Sequence, residues 1–275
     1  MSKYWVVIAG GGSGKRMNRR VPKQYLEILG KTVIEHSMNA FLDHEMVSGV
    51  VVVTPPNDAR WKAVEPTHPK FLCRIEGGKE RCDSVLSGLN ILQAHTGIDD
   101  WVLIHDAARP CISKKLIDTL LKKVVRHPVG GILAIPVTET MKKTSPNNAI
   151  IQSVAKENMW RAQTPQMFRL NALRGALTDL QQRQVIATDE ASAMEFMGMR
   201  PLVVKGAEAN LKITTPSDLP LAEYFLETEA KITSSVKKRR RFGLKKKKKV
   251  VKPNLEKKSL KAGRALMKMP KFLSS

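Results

Sequence analysis

The chain has 275 residues, enough for one large α/β domain or two small ones, and 42% of them are hydrophobic, ordinary for a protein with a real core. No apolar run approaches the roughly 18–20 residues of a helical membrane span, and the N-terminus lacks the apolar h-region of a signal peptide, so a cytoplasmic protein is expected. The formal net charge of +22 invites a nucleic-acid reading, but residues 231–275 carry 18 Lys/Arg against the single acid Glu256, leaving 29 basic and 24 acidic residues in 1–230.

In chain order, "YWVVIAG" (4–10) reads as an apolar strand running into glycine, and residues 31–42 have helical spacing. "GVVVVTP" (49–55) is the continuous apolar run of a strand buried on both faces. Residues 70–75 are strand-like, 81–94 helical, and 101–110 form a strand that stops at a turn; 114–125 make an amphipathic helix and 130–137 another buried strand. Strands alternating with helices of this length imply βαβ units and a mainly parallel sheet. The pattern breaks after Val137, where polar strand-like pieces surround an "SPNN" turn at 145–148; an arm projecting from the sheet is expected over about 138–160. Helical patterning resumes at 169–182 and 188–197, followed by a strand at 201–206. A closing helix is expected at 215–227, with Thr215 as N-cap and Pro216 at its first position.

The expected fold class is therefore α/β: Rossmann-like, a mainly parallel twisted sheet with helices on both faces and a projecting β-arm. The expected domains are 1–230 and a basic tail, 231–275. Blocks of like charge repel themselves, so the tail is expected to lack regular structure. It is either simply solvated or a binder of anionic polymers or surfaces. Phe242 is the only aromatic inside its basic run, which leaves little for base stacking.

The three cysteines, Cys73, Cys82 and Cys111, form no CxxC pair, and no His/Cys cluster has zinc spacing. His105, beside Asp106, reads as structural. The stretch with most chemical content is "GGGSGKRM" (10–17). A P-loop would need a Ser/Thr at position 16 to hold magnesium, and Arg16 stands there; the dinucleotide fingerprint fails because its third glycine falls on Lys15 or Met17. The backbone of Gly10, Gly11, Gly12 and Gly14 can still donate to phosphate oxygens, while Lys15 and Arg16 add fixed charge. Asp106 ends a predicted strand, where ligands of open α/β sheets gather.

This loop, followed by Pro22-Lys23, resembles that of the sugar-nucleotidyltransferase superfamily. Seven segments occur in register with it: "VPKQYL" (21–26), "GGKERCDSVLSGL" (77–89), "VLIHDAARPC" (102–111), "GILAIPVTETMKK" (131–143), "WRAQTPQMF" (160–168), "TDEASAMEFMG" (188–198) and "NLKITTPSDL" (210–219). Together they resemble the 2-C-methyl-D-erythritol 4-phosphate cytidylyltransferase family over roughly residues 3–228. The resemblance implies transfer of CMP from CTP to methylerythritol phosphate with release of pyrophosphate. It implies Arg16 and Lys23 as transition-state stabilisers, with Lys15 assisting the triphosphate. Gly78, Arg81, Asp83 and Ser84 fall on the segment that reads cytosine and ribose, although capping of a helix is the alternative role for Asp83 and Ser84. Asp106 falls beside the substrate hydroxyls and a phosphate-bound Mg2+, or another divalent cation. Arg109 either contacts substrate or orients Asp106 through a salt bridge. Thr140, Lys156 and Lys212 match positions that hold methylerythritol phosphate, the first two acting in trans across a homodimer formed through the arm. Two positions depart from the family pattern: Lys156, where arginine is frequent, and Ala209, where an acid is common. The alternatives are a ribitol-5-phosphate cytidylyltransferase and, from another class, a nucleic-acid-binding protein acting through its tail.

Overall fold

The computed structural model describes residues 2–11, 17, 21–97 and 100–247. The chain divides into two units, Met1–Lys231 and Ile232–Ser275. The first is built on a seven-stranded sheet. Its strands are β1 (Tyr4–Ala9), β4 (Val47–Thr54), β5 (Phe71–Glu76), β6 (Trp101–Asp106), β7 (Gly130–Pro136), β10 (Trp160–Arg169) and β11 (Leu202–Lys205), in the order β11-β7-β10-β6-β1-β4-β5. All neighbours pair parallel except β10, which runs antiparallel between β6 and β7. The short pair β2 (Glu27–Ile28) and β3 (Lys31–Thr32) precedes the first helix.

Alternation in the strands explains the two cores. Val6 and Ile8 of β1 and Val50 and Val52 of β4 pack on one face against Ile34, Met38 and Phe41 of α1 (Val33–Leu42) and Ile117 and Leu120 of α3 (Lys114–Val124). Val7, Val51 and Val53 point the other way, against Val85 and Leu89 of α2 (Arg81–Gln93) and Leu173 and Leu177 of α4 (Leu170–Gln182). A strand apolar on both faces must be covered on both, which is why these runs read as continuous apolar stretches. Helix starts follow their caps: Thr32 and Glu35 form a reciprocal capping box at α1, and Ser113 accepts from the Leu116 N–H at α3. The buried Ile117, Leu120, Leu121 and Val124 of α3 follow the spacing of one helical face.

A third, smaller cluster holds Met17, Leu26, Ile28, Val33, Cys111, Ile213 and Ala222. Its members come from the segment around β2 and β3, the turn after β6, and the approach to and first turns of α6 (Asp218–Lys247). The segment after Val137 forms β8 (Met141–Thr144) and β9 (Ile150–Val154), paired antiparallel as a separate two-stranded sheet around the 145–148 turn.

Residues 160–168, which the sequence pattern assigned to no element, form a central strand of the main sheet, β10. Two expectations change. Regular helix α6 begins at Asp218, later than Thr215. The Asp218 carboxylate accepts from the Thr214 and Thr215 N–H groups at 2.7 Å each, and the turns over 215–219 close by i→i+3 bonds. That helix also continues to Lys247 instead of stopping near Glu227, so residues 231–247 are helical where none was expected. Lysine and arginine are good helix formers, and no proline interrupts the run.

Gly130 starts β7 with φ of +137°, and a Cβ there would lie 2.4 Å from the Phe168 ring and 2.5 Å from the Met167 carbonyl of β10. The antiparallel β10 can approach β7 so closely only past a residue with no side chain. Gly130→Ala is expected to lower unfolding stability by about 2 kcal/mol or more, through both backbone strain and overlap. Urea titration followed by circular dichroism checks this; an unchanged midpoint would contradict the close approach.

Candidate functional site

Four parallel strands end together. Ala9 pairs with both Val53 and Asp106, and Thr54 pairs with Glu76. The chain leaves β1 for β4 on one side and later returns through β6 on the other, so the β1/β6 border is the topological switch point, where α/β sheets bind ligands.

Asp106 sits at this border, buried, with cations on both of its oxygens. Arg81 Nε reaches Oδ1 at 3.2 Å, Lys212 Nζ reaches Oδ2 at 2.9 Å, and Arg109 Nε lies 3.5 Å from Oδ2. Burial alone would raise the carboxyl, but the charges of Arg81, Lys212 and Arg109 hold it well below the usual carboxylate range. Arg109 is itself anchored. Its Nη1 donates to the Asn210 carbonyl at 2.8 Å and its Nη2 to the Ala162 carbonyl at 3.4 Å. These bonds fit the second reading of Arg109, a salt-bridge partner that orients Asp106. The other end of Arg81 forks onto Glu190 of α5 (Glu190–Phe196), at 2.5 and 3.1 Å. Burial raises the Glu190 carboxyl, while the Arg81 guanidinium pulls it back.

The loop carrying Lys212 is stapled across the site. The Ile213 N–H donates to the Ala108 carbonyl at 2.8 Å, and Asn210 Nδ2 donates to the Thr164 carbonyl at 2.8 Å. Lys23 joins from the other side, its Nζ donating to the Ile213 carbonyl at 2.8 Å. It stands on a 3-10 turn, Lys23–Tyr25, pinned by two side chains. Gln24 Nε2 donates to the Gly10 carbonyl at 3.1 Å, and the Tyr25 hydroxyl donates to Asp58 at 2.5 Å.

Gly10 continues β1 through its N–H to the Val53 carbonyl at 2.7 Å, and Gly11 faces Ser84. Gly78 lies against Asp83, close enough that a Cβ would fall 2.4 Å from the Asp83 Cβ. Asp83 accepts from the Glu80 N–H at 3.0 Å and the Ser84 hydroxyl donates to the Glu80 carbonyl at 3.2 Å, so both side chains serve the start of α2. This is the structural alternative raised from the sequence. Gly12, Gly14, Lys15 and Arg16 lie outside the described residues.

Thr140 and Lys156 are exposed on the arm, and Lys156 Nζ donates to the Thr138 carbonyl at 2.6 Å. Among the described residues no hydrogen bond or ion pair joins either to the Asp106 set. Beside Ala209, Glu208 is engaged by Arg161 at 2.8 Å. Sequence reasoning passed over Thr164, Gln166 and Glu190, although each lies inside a segment already singled out by its pattern.

His105 is structural, as expected. The Arg109 carbonyl can only accept, so His105 Nε2 carries the proton and donates to it at 3.1 Å. Nδ1 of the neutral ring then accepts from the Thr164 hydroxyl 3.1 Å away, whose oxygen accepts the Asp106 N–H at 3.0 Å. Among the described residues no group of three acidic, histidine or cysteine side chains could enclose a metal ion. No described helix is long and apolar enough to cross a membrane.

A Rossmann-like sheet with this strand order, carrying a cation-ringed carboxylate at its switch point, has the fold of the nucleotidyltransferases. A family model, 2-C-methyl-D-erythritol 4-phosphate cytidylyltransferase, matches residues 4–228, and the chain belongs to that family. Proteins of that name from Vibrio parahaemolyticus and Pseudomonas paraeruginosa are 46% and 45% identical over 230 and 217 residues, covering 83% and 78% of this chain and 97% and 93% of theirs. The crystal structure of the Francisella tularensis protein of the same name superposes with a TM-score of 0.71 at 34% identity, over 82% of this chain and all of that one.

Burial pushes the His105 imidazole down to about 4, against about 6.5 in an unfolded chain. Between these values the unfolded state takes up a proton that the folded state refuses. The stability contribution is therefore complete above pH 6.5 and is lost as pH falls toward 4. From pH 7 to pH 5 this amounts to about 2 kcal/mol. The His44 imidazole is shifted the same way and adds to the wild-type slope. Urea unfolding at both pH values should give a smaller acid loss for His105→Gln than for wild type, whatever its stability at pH 7. Equal losses would contradict the assignment.

Proposed function

We propose that this protein transfers CMP from CTP to 2-C-methyl-D-erythritol 4-phosphate, giving 4-diphosphocytidyl-2-C-methyl-D-erythritol and pyrophosphate, a step in non-mevalonate isoprenoid precursor synthesis. The observation that carries this reading is the preassembled Asp106–Arg81–Arg109–Lys212 set with Lys23 braced beside it. It offers cations for phosphates and one oriented carboxylate for polyol hydroxyls.

In the reaction an oxygen of the acceptor phosphate forms a bond to the α-phosphorus of CTP. The bond from that phosphorus to the β-phosphate bridging oxygen breaks, and pyrophosphate carries away the electron pair. A phosphate monoester is largely ionised at neutral pH, so no general base is required. The protein's work is positioning and charge stabilisation. Arg16 and Lys23 meet the charge that builds on the α-phosphate and leaving group, and Lys15 assists the triphosphate. Gly10, Gly11, Gly12 and Gly14 offer backbone to the phosphates, and Gly78, Asp83 and Ser84 border the nucleoside, while Arg81 of the same segment turns its guanidinium onto Glu190 and Asp106. Lys212 holds the acceptor phosphate, and Asp106, oriented by Arg109, receives its hydroxyls.

A magnesium ion, or another divalent cation, would be held mainly by substrate phosphates. Such an ion needs few protein ligands, and Asp106 would be the carboxylate beside it. When bound it would neutralise triphosphate charge.

The arm supports a homodimer: Met141, Ile150 and Ile151 expose apolar surface along it, and Trp160 adds to this where β10 begins. Thr140 and Lys156 would then complete the partner's acceptor site. We further read the chain as cytoplasmic, where CTP is made, and the basic run of 231–275 as a surface for anionic polymers or membranes.

Pyrophosphate release across a panel of nucleoside triphosphates and polyol phosphates with magnesium tests the proposal. Turnover is expected with CTP and methylerythritol phosphate; activity on ribitol 5-phosphate with none on methylerythritol phosphate would overturn it. Lys23→Ala is expected to lower kcat by about 10²–10³ with little change in KM for CTP, because its charge counts most in the transition state. A raised KM at unchanged kcat would refute that role.

A further inference from the structure

The segment 188–198 remains without a role in the reaction as described, yet it supplies Glu190, a carboxylate only 1% exposed that forks onto Arg81 from 109 residues away in sequence. We propose that Glu190 is a positioning residue which, through Arg81, holds Asp106 in the orientation that receives the polyol hydroxyls. The proposal rests on the assignment of Asp106 to the acceptor.

Arg81 is the first residue of α2 and is 29% exposed, so its own helix does little to fix its guanidinium. An arginine fork beside a triphosphate site would ordinarily turn toward phosphate, which it binds through two parallel N–H groups. Here that edge is already taken. Nη1 and Nη2 donate to the two oxygens of Glu190, which leaves Nε aimed at Asp106 Oδ1. Glu190 thus decides which face of the guanidinium meets Asp106 and cancels the charge that would draw Arg81 to the nucleotide.

Glu190 is itself rigidly placed. Gln166, in the middle of β10, accepts the Ala191 N–H at 2.9 Å and donates to Asp189 at 2.8 Å. Asp189 caps α5 by accepting the Ser192 N–H at 2.9 Å. Central strand, helix cap, Glu190, Arg81 and Asp106 form one continuous chain of contacts. Its last bond meets one oxygen of Asp106, while Lys212 meets the other. Without the fork Asp106 would keep its burial and two of its three cations but lose the constraint on Oδ1.

Steady-state kinetics of Glu190→Gln, run with the acceptor that the wild type uses, provide the test. The variant keeps the shape and removes the charge. KM for the polyol phosphate is expected to rise at least fivefold, with KM for CTP within twofold of wild type. Arg81→Lys keeps the charge, loses the fork and should show the same split; it stands in if Glu190→Gln fails to fold. The double variant should be no worse than the poorer single one, because both remove the same constraint. A raised KM for CTP with an unchanged acceptor KM would place Arg81 on the nucleotide and overturn the proposal. So would a lowered Tm with both KM values unchanged, or additive effects in the double variant. Failure of the wild type to use methylerythritol phosphate would count against the acceptor assignment instead.

Discussion

The structure turns on one buried charge. Asp106 lies at the end of a strand that is buried along its whole length, and an ionised carboxylate there costs several kcal/mol unless it is paired. The three cations that pair it come from the start of α2, from the turn after β6 and from the loop before α6. Three segments far apart in sequence are thereby required to meet at one point. Because the set holds more positive than negative charge even with Glu190 included, it remains attractive to phosphate after satisfying its own carboxylate. Folding and ligand attraction thus draw on the same charges.

Cations alone would not hold their geometry, and the third hydrophobic cluster supplies what they lack. Ile213 follows Lys212, Leu26 lies three residues after Lys23, and Met17 follows Arg16; all three apolar residues are buried in one small core. A cation next to a buried anchor, as Lys212 is next to Ile213, has its backbone placed by packing as well as by its ion pair. Lysine side chains lose about 2 kcal/mol of rotamer freedom when fixed, so anchoring the backbone first leaves less to be paid at the site. The hydrogen bond from Lys23 to the Ile213 carbonyl ties two of these anchored segments together, and Gln24 ties the same turn to Gly10 at the mouth of the glycine loop.

Much of this was legible in the residues. The valine-rich runs of β1 and β4 had to be covered on both faces, and strands alternating with helices implied the parallel sheet. Asp106 at a strand end pointed to the switch point. What escaped has a common cause. β10 reads as a poor strand because Arg161, Gln163, Thr164 and Gln166 are polar and Pro165 interrupts it. Yet Gln163 donates to the Ala207 carbonyl, Thr164 fixes Asp106 and His105, and Gln166 clamps α5. A strand whose side chains serve a site loses the apolar signature by which strands are recognised. Glu190 escaped for a related reason: a carboxylate four residues before an apolar helical position looks like a solvated helix start until its partner, 109 positions away, is in view. The continuation of α6 to Lys247 was hidden by a charge argument that outweighed helix propensity.

The lone histidine of the site completes the electrostatic picture. Burial keeps His105 neutral at physiological pH, and its ring is spent entirely on Thr164 and the Arg109 carbonyl. A proton-transfer residue so placed could not reach a ligand, and phosphoryl attack by an ionised monoester does not ask for one. The imidazole instead fixes the turn from Asp106 to Arg109, the four residues in which the carboxylate and one of its cations must stand opposite each other. Chemistry that runs on placement of charge therefore uses its one titratable ring as a brace, and leaves much of the charge to two guanidinium groups, Arg81 and Arg109, which stay protonated across the physiological range.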